Sequence, residues 1–393
     1  MPPFSLYTTL LLLCATACTA TTTVGVTYNP SIPNIPPPEK VASTLQSLHI
    51  QAVHLLDPTP AAVRVFAYTN ISLLLSVPND LVPSFAVNRS AATLWLYSLV
   101  LPYHPRTRIS LISVGSDVIT AAASSDAASD PTTTLIPAMN NLHLSLRDLG
   151  IRSIPVSTTF SFINVMTTSF PPSFAEFQEP VNSLIITPLL QFLDETNSSF
   201  LINLFPYDVY RMNSEIPVGY ALFQENPFNF RDDTVTGVRY RNLFDMMVDA
   251  VIAAMAVLGK ENIPVIVTET GWPNEAESEA IGNYAEMYLK GLLMHLRSGM
   301  GTPLKNEGVA EAYIYQLFDE IDLKNSSNKN GTSISRSGFG RQRWGIMHPN
   351  MTLKYRIAFS GSQRILRNGN YLVQMQMLLA LLVLVPIHRI FTA

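Results

Sequence analysis

Eight short apolar runs, each followed by a longer helical pattern, recur along residues 24–320 and constrain the fold more than any other feature. They are VGVTY (24–28), AVHLLD (52–57), SLLLSVP (72–78), ISLISVGSD (109–117), IPVSTTFS (154–161), FLINLFPY (200–207), IPVIVTET (263–270) and EAYIYQLFDE (311–320). Runs that stay apolar on successive residues suit parallel strands covered on both faces. The stretches between them include LIPAMNNLHLSLRDLG and NLFDMMVDAVIAAMAVLG, both ending in the glycine expected just past a helix. Eight β-then-α units predict a single (β/α)8 TIM barrel, an α/β fold, over residues 24–359. An open doubly wound sheet would carry a glycine-rich phosphate turn after its first strand. The segment VTYNPSIPNIPPP is proline-rich instead.

In a barrel of this kind chemistry gathers at the C-terminal ends of the strands. Glu269 ends the seventh run, just before a Thr-Gly-Trp-Pro turn, and Asp117 ends the fourth. Strands 4 and 7 lie on opposite sides of a ring of eight, so two inward acids can flank a bound chain. A carboxyl separation of about 5–5.5 Å means a retaining glycosidase with a covalent intermediate, and a wider gap means inversion. Tyr28, Phe205, Tyr207, Trp272 and Phe318 fall at or just past run ends, where aromatic faces can stack on pyranose C–H surfaces. Asn203 and Glu320 offer hydrogen bonds to hydroxyls.

The two ends of the chain read as processed. Residues 1–20 hold an apolar core followed by small residues, the pattern of a secretory signal peptide. This segment contains both cysteines, Cys14 and Cys18, so cleavage leaves a chain without disulfides. Asn-X-Ser/Thr sequons stand at Asn70, Asn88, Asn197, Asn325, Asn330 and Asn350. At the other end Ser360, Gly361 and Ser362 precede a polar spacer and an apolar tail, the layout of a glycosylphosphatidylinositol signal over 360–393 with Ser360 as the lipidation site. A retained membrane span fits less well, because the tail carries Gln374 and Gln376 and falls short of about 20 apolar residues. With 14% charged residues and a net charge of −4, nothing in the composition favours nucleic acid.

The segments VTETGWP (267–273), NLFPYDVY (203–210), SFPPSFAEF (169–177), VLPYHP (100–105), YALFQ (220–224) and RWGIMHPN (343–350) resemble the plant glucan endo-1,3-β-glucosidases of glycoside hydrolase family 17. The resemblance implies a (β/α)8 barrel, a groove for β-1,3-glucan, no metal or organic cofactor, and retention of configuration. It makes Glu269 the nucleophile and puts the acid/base of the family's VGNE on Asp117. A membrane-anchored, wall-side form is common in that family and agrees with the tail. Four departures stand out. VGNE is VGSD here, so the acid is one methylene shorter and Ser116 replaces an asparagine that would hold a sugar hydroxyl. On the second strand His54 replaces an arginine expected to keep the nucleophile ionised, and Leu56 replaces a tyrosine. Phe205 stands for a tyrosine, and Arg341 for a glutamate before the Trp-Gly pair. Two functions therefore stand side by side: a retaining endo-β-1,3-glucanase, and a cell-surface β-glucan-binding protein with little or no hydrolysis. Transfer of the glycosyl group to a sugar acceptor is a variant of the first.

Overall fold

The computed structural model describes residues 22–121, 130–224, 226, 228–274, 284–320 and 343–359. The leader, Ser360 and the tail, Asn325, Asn330 and Arg341 lie outside the described residues.

All eight expected strands form: β1 (Thr23–Tyr28), β2 (Ala52–Leu55), β3 (Ser72–Val77), β4 (Arg108–Ser116), β5 (Val156–Ser161), β6 (Phe200–Asn203), β7 (Val265–Thr270) and β8 (Glu311–Ile314). They pair in parallel and close into a barrel in the order β1-β8-β7-β6-β5-β4-β3-β2. On the shorter arc β4 and β7 are separated by β5 and β6. The longer helices are α1 (Pro38–Ser47), α2 (Arg89–Leu99), α3 (Pro131–Asp148), α4 (Thr187–Thr196), α5 (Leu243–Val257) and α6 (Tyr284–Ser298).

Local chemistry sets the helix limits. Asp130 caps α3 by accepting from the Thr132 N–H, and Pro131 fills the first turn, where no N–H is needed. The helix stops at Gly150, which takes the left-handed φ of 75°. The Gly150 N–H then donates to Arg147 O (3.0 Å) and the Ile151 N–H to Leu146 O (2.9 Å), satisfying the last carbonyls. Two strands, β6 and β8, end four or more residues before their apolar runs do. The run after β6 reaches Pro206, which has no N–H for a ladder and opens the short helix Pro206–Met212. After Ile314 the chain leaves β8, and the Leu317 N–H turns back to Thr27 O at 2.9 Å.

The bore of the barrel is layered. Ala52, Leu74, Leu111, Leu201, Ile266 and Tyr313 form an apolar floor, a cluster distinct from the larger core between strands and helices. The Tyr313 ring lies so close over Gly25 that a Cβ there would meet it at 2.5 Å. Two residues further along five of these strands, on the same face, the layer turns polar: His54, Ser76, Ser113, Asn203 and Thr268, all buried. Among the described residues no helix is long and apolar enough to cross a membrane.

Candidate active site

Strict alternation along β7 would send Glu269 outward, since Ile266 and Thr268 face the bore. The pairing shows why it does not. β6 matches Ile202 to Val267 and then Asn203 to Glu269, while β8 matches Ala312 to Val267 and then Ile314 to Thr270. Both neighbours skip one residue, so β7 carries a bulge at Thr268–Glu269. Bulges re-aim side chains beside active sites. Thr268 donates to Asn203 Oδ1 at 2.8 Å, Glu269 sits opposite Asn203 in register, and Thr270 turns outward to within 2.6 Å of the Tyr288 hydroxyl on α6. Glu269 is 1% exposed, and its carbonyl accepts the Leu204 N–H at 2.9 Å.

His54 crosses the bore beneath this corner. Its Nδ1 lies 3.1 Å from Thr268 O, and because a carbonyl only accepts, Nδ1 carries the hydrogen. Its Nε2 is 2.7 Å from Ser76 Oγ, and its ring stands edge-on to Tyr313 at 5.8 Å. The imidazole thus ties β2 and β3 to the peptide immediately before Glu269.

The tip of β4 is built otherwise. Its ladder shifts register against β5 between Ser113 and Ser116, Gly115 takes φ 72° and Asp117 φ 49°. A Cβ at Gly115 would meet Val118 at 2.6 Å, so glycine is required there twice over. Asn79 clamps the Ser116 backbone from the β3 side, donating to its carbonyl (2.9 Å) and accepting from its N–H (2.8 Å). From the β5 side Thr159 O accepts the Asp117 N–H at 2.8 Å. Asp117 is half-buried; Oδ1 accepts from the Ser161 N–H (3.2 Å) and Oδ2 from Asn164 Nδ2 (2.6 Å). Ser161 pairs with Asn203, and Asn203 with Glu269. A single row, Asp117–Ser161–Asn203–Glu269, therefore follows the rim, strand by strand, from one acid to the other.

The aromatic residues divide. Tyr28, Tyr207, Trp272 and Phe318 are only 1–3% exposed, so protein covers the faces expected to stack on sugars. Trp272 is packed among Tyr207, Tyr210, Tyr284 and Tyr288. The Tyr207 hydroxyl accepts from Arg211 at 3.1 Å, and Tyr28 stands edge-on to Phe318. Burial and nearby Glu39 push the Tyr28 hydroxyl up to about 12. Half-buried Phe205, Tyr315 and Trp344 form a triangle of edge-to-face rings with centroids 5.1–5.8 Å apart. Glu320 is exposed, with the Tyr315 hydroxyl 3.5 Å from its Oε1. Tyr315 and Trp344 lay inside sequence segments already singled out, but only their position beside Phe205 marks them as site residues. Asn164 had no local signal, being one amide in an apolar turn.

Among the described residues, three of five buried polar side-chain atoms without a protein partner sit at or just past tips of the barrel strands that bear or adjoin the two acids: Ser116 Oγ, Trp272 Nε1 and Gln316 Oε1. Buried polar groups are normally paired, so these three are exceptions clustered at one end of the barrel. Asp208, at the start of the short helix behind Phe205, is raised to about 6 by burial, opposed by Arg211. Among the described residues no group of three His, Cys, Asp or Glu side chains could hold a metal ion. Asn70, Asn88, Asn197 and Asn350 are exposed.

Residues 24–359 match the family model described as glycosyl hydrolases family 17. Two proteins of Arabidopsis thaliana, glucan endo-1,3-beta-glucosidases 13 and 12, are each 34% identical to 86% of this chain, covering 64% and 60% of their own lengths. The chain thus spans a little under two thirds of these curated relatives. A solved structure titled as CJP38, a beta-1,3-glucanase and allergen of Cryptomeria japonica pollen, superposes with a TM-score of 0.75 at 30% identity, over 86% of this chain and 99% of that one. One of a pair titled as plant beta-glucan endohydrolases with distinct substrate specificities gives 0.72 at 31% identity, over 85% and 100%.

Proposed function

The chain belongs to family 17 of the glycosyl hydrolases, and on that premise we propose that it cleaves β-1,3-glucosidic linkages within glucan chains, with retention of configuration. The observation that carries this reading is the row Asp117–Ser161–Asn203–Glu269, which joins two carboxylates along the rim at one end of the barrel. In the first step Asp117 protonates the glycosidic oxygen as Glu269 attacks the anomeric carbon, giving a glycosyl ester and a free chain end. In the second, Asp117 removes a proton from water, which displaces Glu269 and restores both carboxyl groups. The names of the relatives and of the aligned structures, all β-glucan hydrolases, support the substrate class.

Release of reducing ends from a soluble β-1,3-glucan tests the reaction, and the anomer formed first, followed by NMR, tests retention. Hydrolysis lost in Glu269→Gln supports the proposal. A wild-type chain that binds glucan without turnover would leave a glucan-binding protein instead. We further propose an extracellular, wall-side location with a lipid anchor at Ser360. Four exposed sequons and the polar spacer before the apolar tail support it. Release from membranes by a phosphatidylinositol-specific phospholipase is the expected result, and persistent membrane association would count against it.

A further inference from the structure

An acid shortened by one methylene is a handicap only if its surroundings kept the longer side chain's geometry. Here they did not. Asp117 occupies a left-handed conformation, φ 49°, where aspartate and asparagine are several-fold enriched among non-glycine residues. Its N–H is fixed on Thr159 O, and the preceding peptide is clamped by Asn79. Each carboxylate oxygen then meets a donor from the far bank: the Ser161 N–H at 3.2 Å and Asn164 Nδ2 at 2.6 Å. Ser161 ends β5, and Asn164 lies on the four-residue helix Phe162–Val165 that follows it.

We infer that Asn164 is a positioning residue for Asp117, and that with the Ser161 N–H it seats the acid at a reach that suits aspartate and not glutamate. The inference rests on the proposed role of Asp117 as acid/base. A carboxyl pushed out by one more methylene, roughly an ångström, would overrun both donors. Placement errors of that size cost about 10²-fold in rate. Asn164 touches no reacting atom; it acts through the carboxylate it holds.

The test uses the full chain, the variants Asn164→Ala, Asn164→Asp and Asp117→Glu, and two substrates. A soluble β-1,3-glucan has a poor leaving group that must be protonated. A dinitrophenyl β-laminaribioside has one that departs unprotonated. With azide added, the anion attacks the glycosyl ester directly, giving a glycosyl azide and free Glu269, so no proton is transferred in either step. For both Asn164 variants we expect kcat on glucan to fall about 10²-fold with KM within about 2-fold, and the aryl substrate with azide to change by less than about 3-fold. Asn164→Asp keeps the side-chain volume and guards against a loss through packing. Asp117→Glu should lose about 10-fold or more on glucan.

Equal losses on both substrates in Asn164→Asp, glucan turnover unchanged in either Asn164 variant, or a faster Asp117→Glu chain would each overturn the inference while leaving the hydrolytic reading intact. A wild-type chain silent on both substrates would bring down that reading, and the inference with it.

Discussion

At the tip of β7 the carboxylate is aimed by the main chain, whereas at the tip of β4 it is held by neighbouring groups. Glu269 faces the bore because a bulge shared against two flanking strands turns it inward, and it is 1% exposed. Asp117 lies just off its strand, half-buried, with its position set by Ser161, Asn164 and, through Ser116, Asn79. Main-chain geometry survives most side-chain changes nearby, while a cradle of side chains can be rebuilt residue by residue. The departures that the resemblance implies at an acid, Ser116 and Asp117, both lie at the β4 tip, while VTETGWP holds Glu269. His54, the departure nearest Glu269, is not at the tip but one layer below, where it bonds to a backbone carbonyl.

The contrast can be broken by mutation. Glu269→Gln should lower glucan hydrolysis by roughly 10³-fold or more, since no other group replaces a nucleophile; the assay is reducing-end release, with glucan binding retained as the control. Asp117→Asn should cost less, about 10²–10⁴-fold, and azide should restore turnover of a dinitrophenyl glycoside in this variant but not in Glu269→Gln. Should azide rescue both or neither, the division of roles is wrong.

A smaller effect sharpens the comparison by shifting stability through a group remote from both tips. Asp249 on α5 is fully buried, accepts the Leu304 N–H at 2.9 Å, and is raised by burial to about 7. A carboxyl raised above its unfolded value binds more protons in the native state, so its contribution is complete below about pH 4 and is lost as pH rises through about 7. Between pH 5 and 8 this should remove on the order of 2 kcal/mol, seen as a falling midpoint in thermal unfolding. Asp249→Asn should flatten that slope. The smallest change expected is for Asn79→Ala, which removes two hydrogen bonds to Ser116 and should cost about 1–2 kcal/mol. If the β4 tip is a side-chain cradle, this variant also slows glucan cleavage; full activity would argue that the strand alone holds Asp117.

Most of the barrel was legible because parallel strands covered on both faces must be apolar on successive residues, and each of the eight runs contains a strand. The overruns have local causes. LFPY after Asn203 stays apolar, but Pro206 cannot join a ladder, and YQLFDE after Ile314 packs at the mouth without pairing. Glu269 was legible as an acid at a strand end. Its inward direction was not, because a bulge is a mismatch between strands and leaves no mark on either alone. Burial of Trp272 and Tyr207 was equally hidden: an aromatic at a strand tip looks the same in sequence whether it faces a groove or, as here, four other rings. Asn164 acquires meaning only once the fold brings it to 2.6 Å from Asp117.

The Tyr313 ring over Gly25, with five aliphatic side chains around it, stoppers the bore from below. A chain bound at the strand tips therefore lies over the mouth and cannot pass through the barrel. On the proposed cleavage within glucan chains, the first products from a long glucan should be shortened chains, and early release of single sugars would count against it.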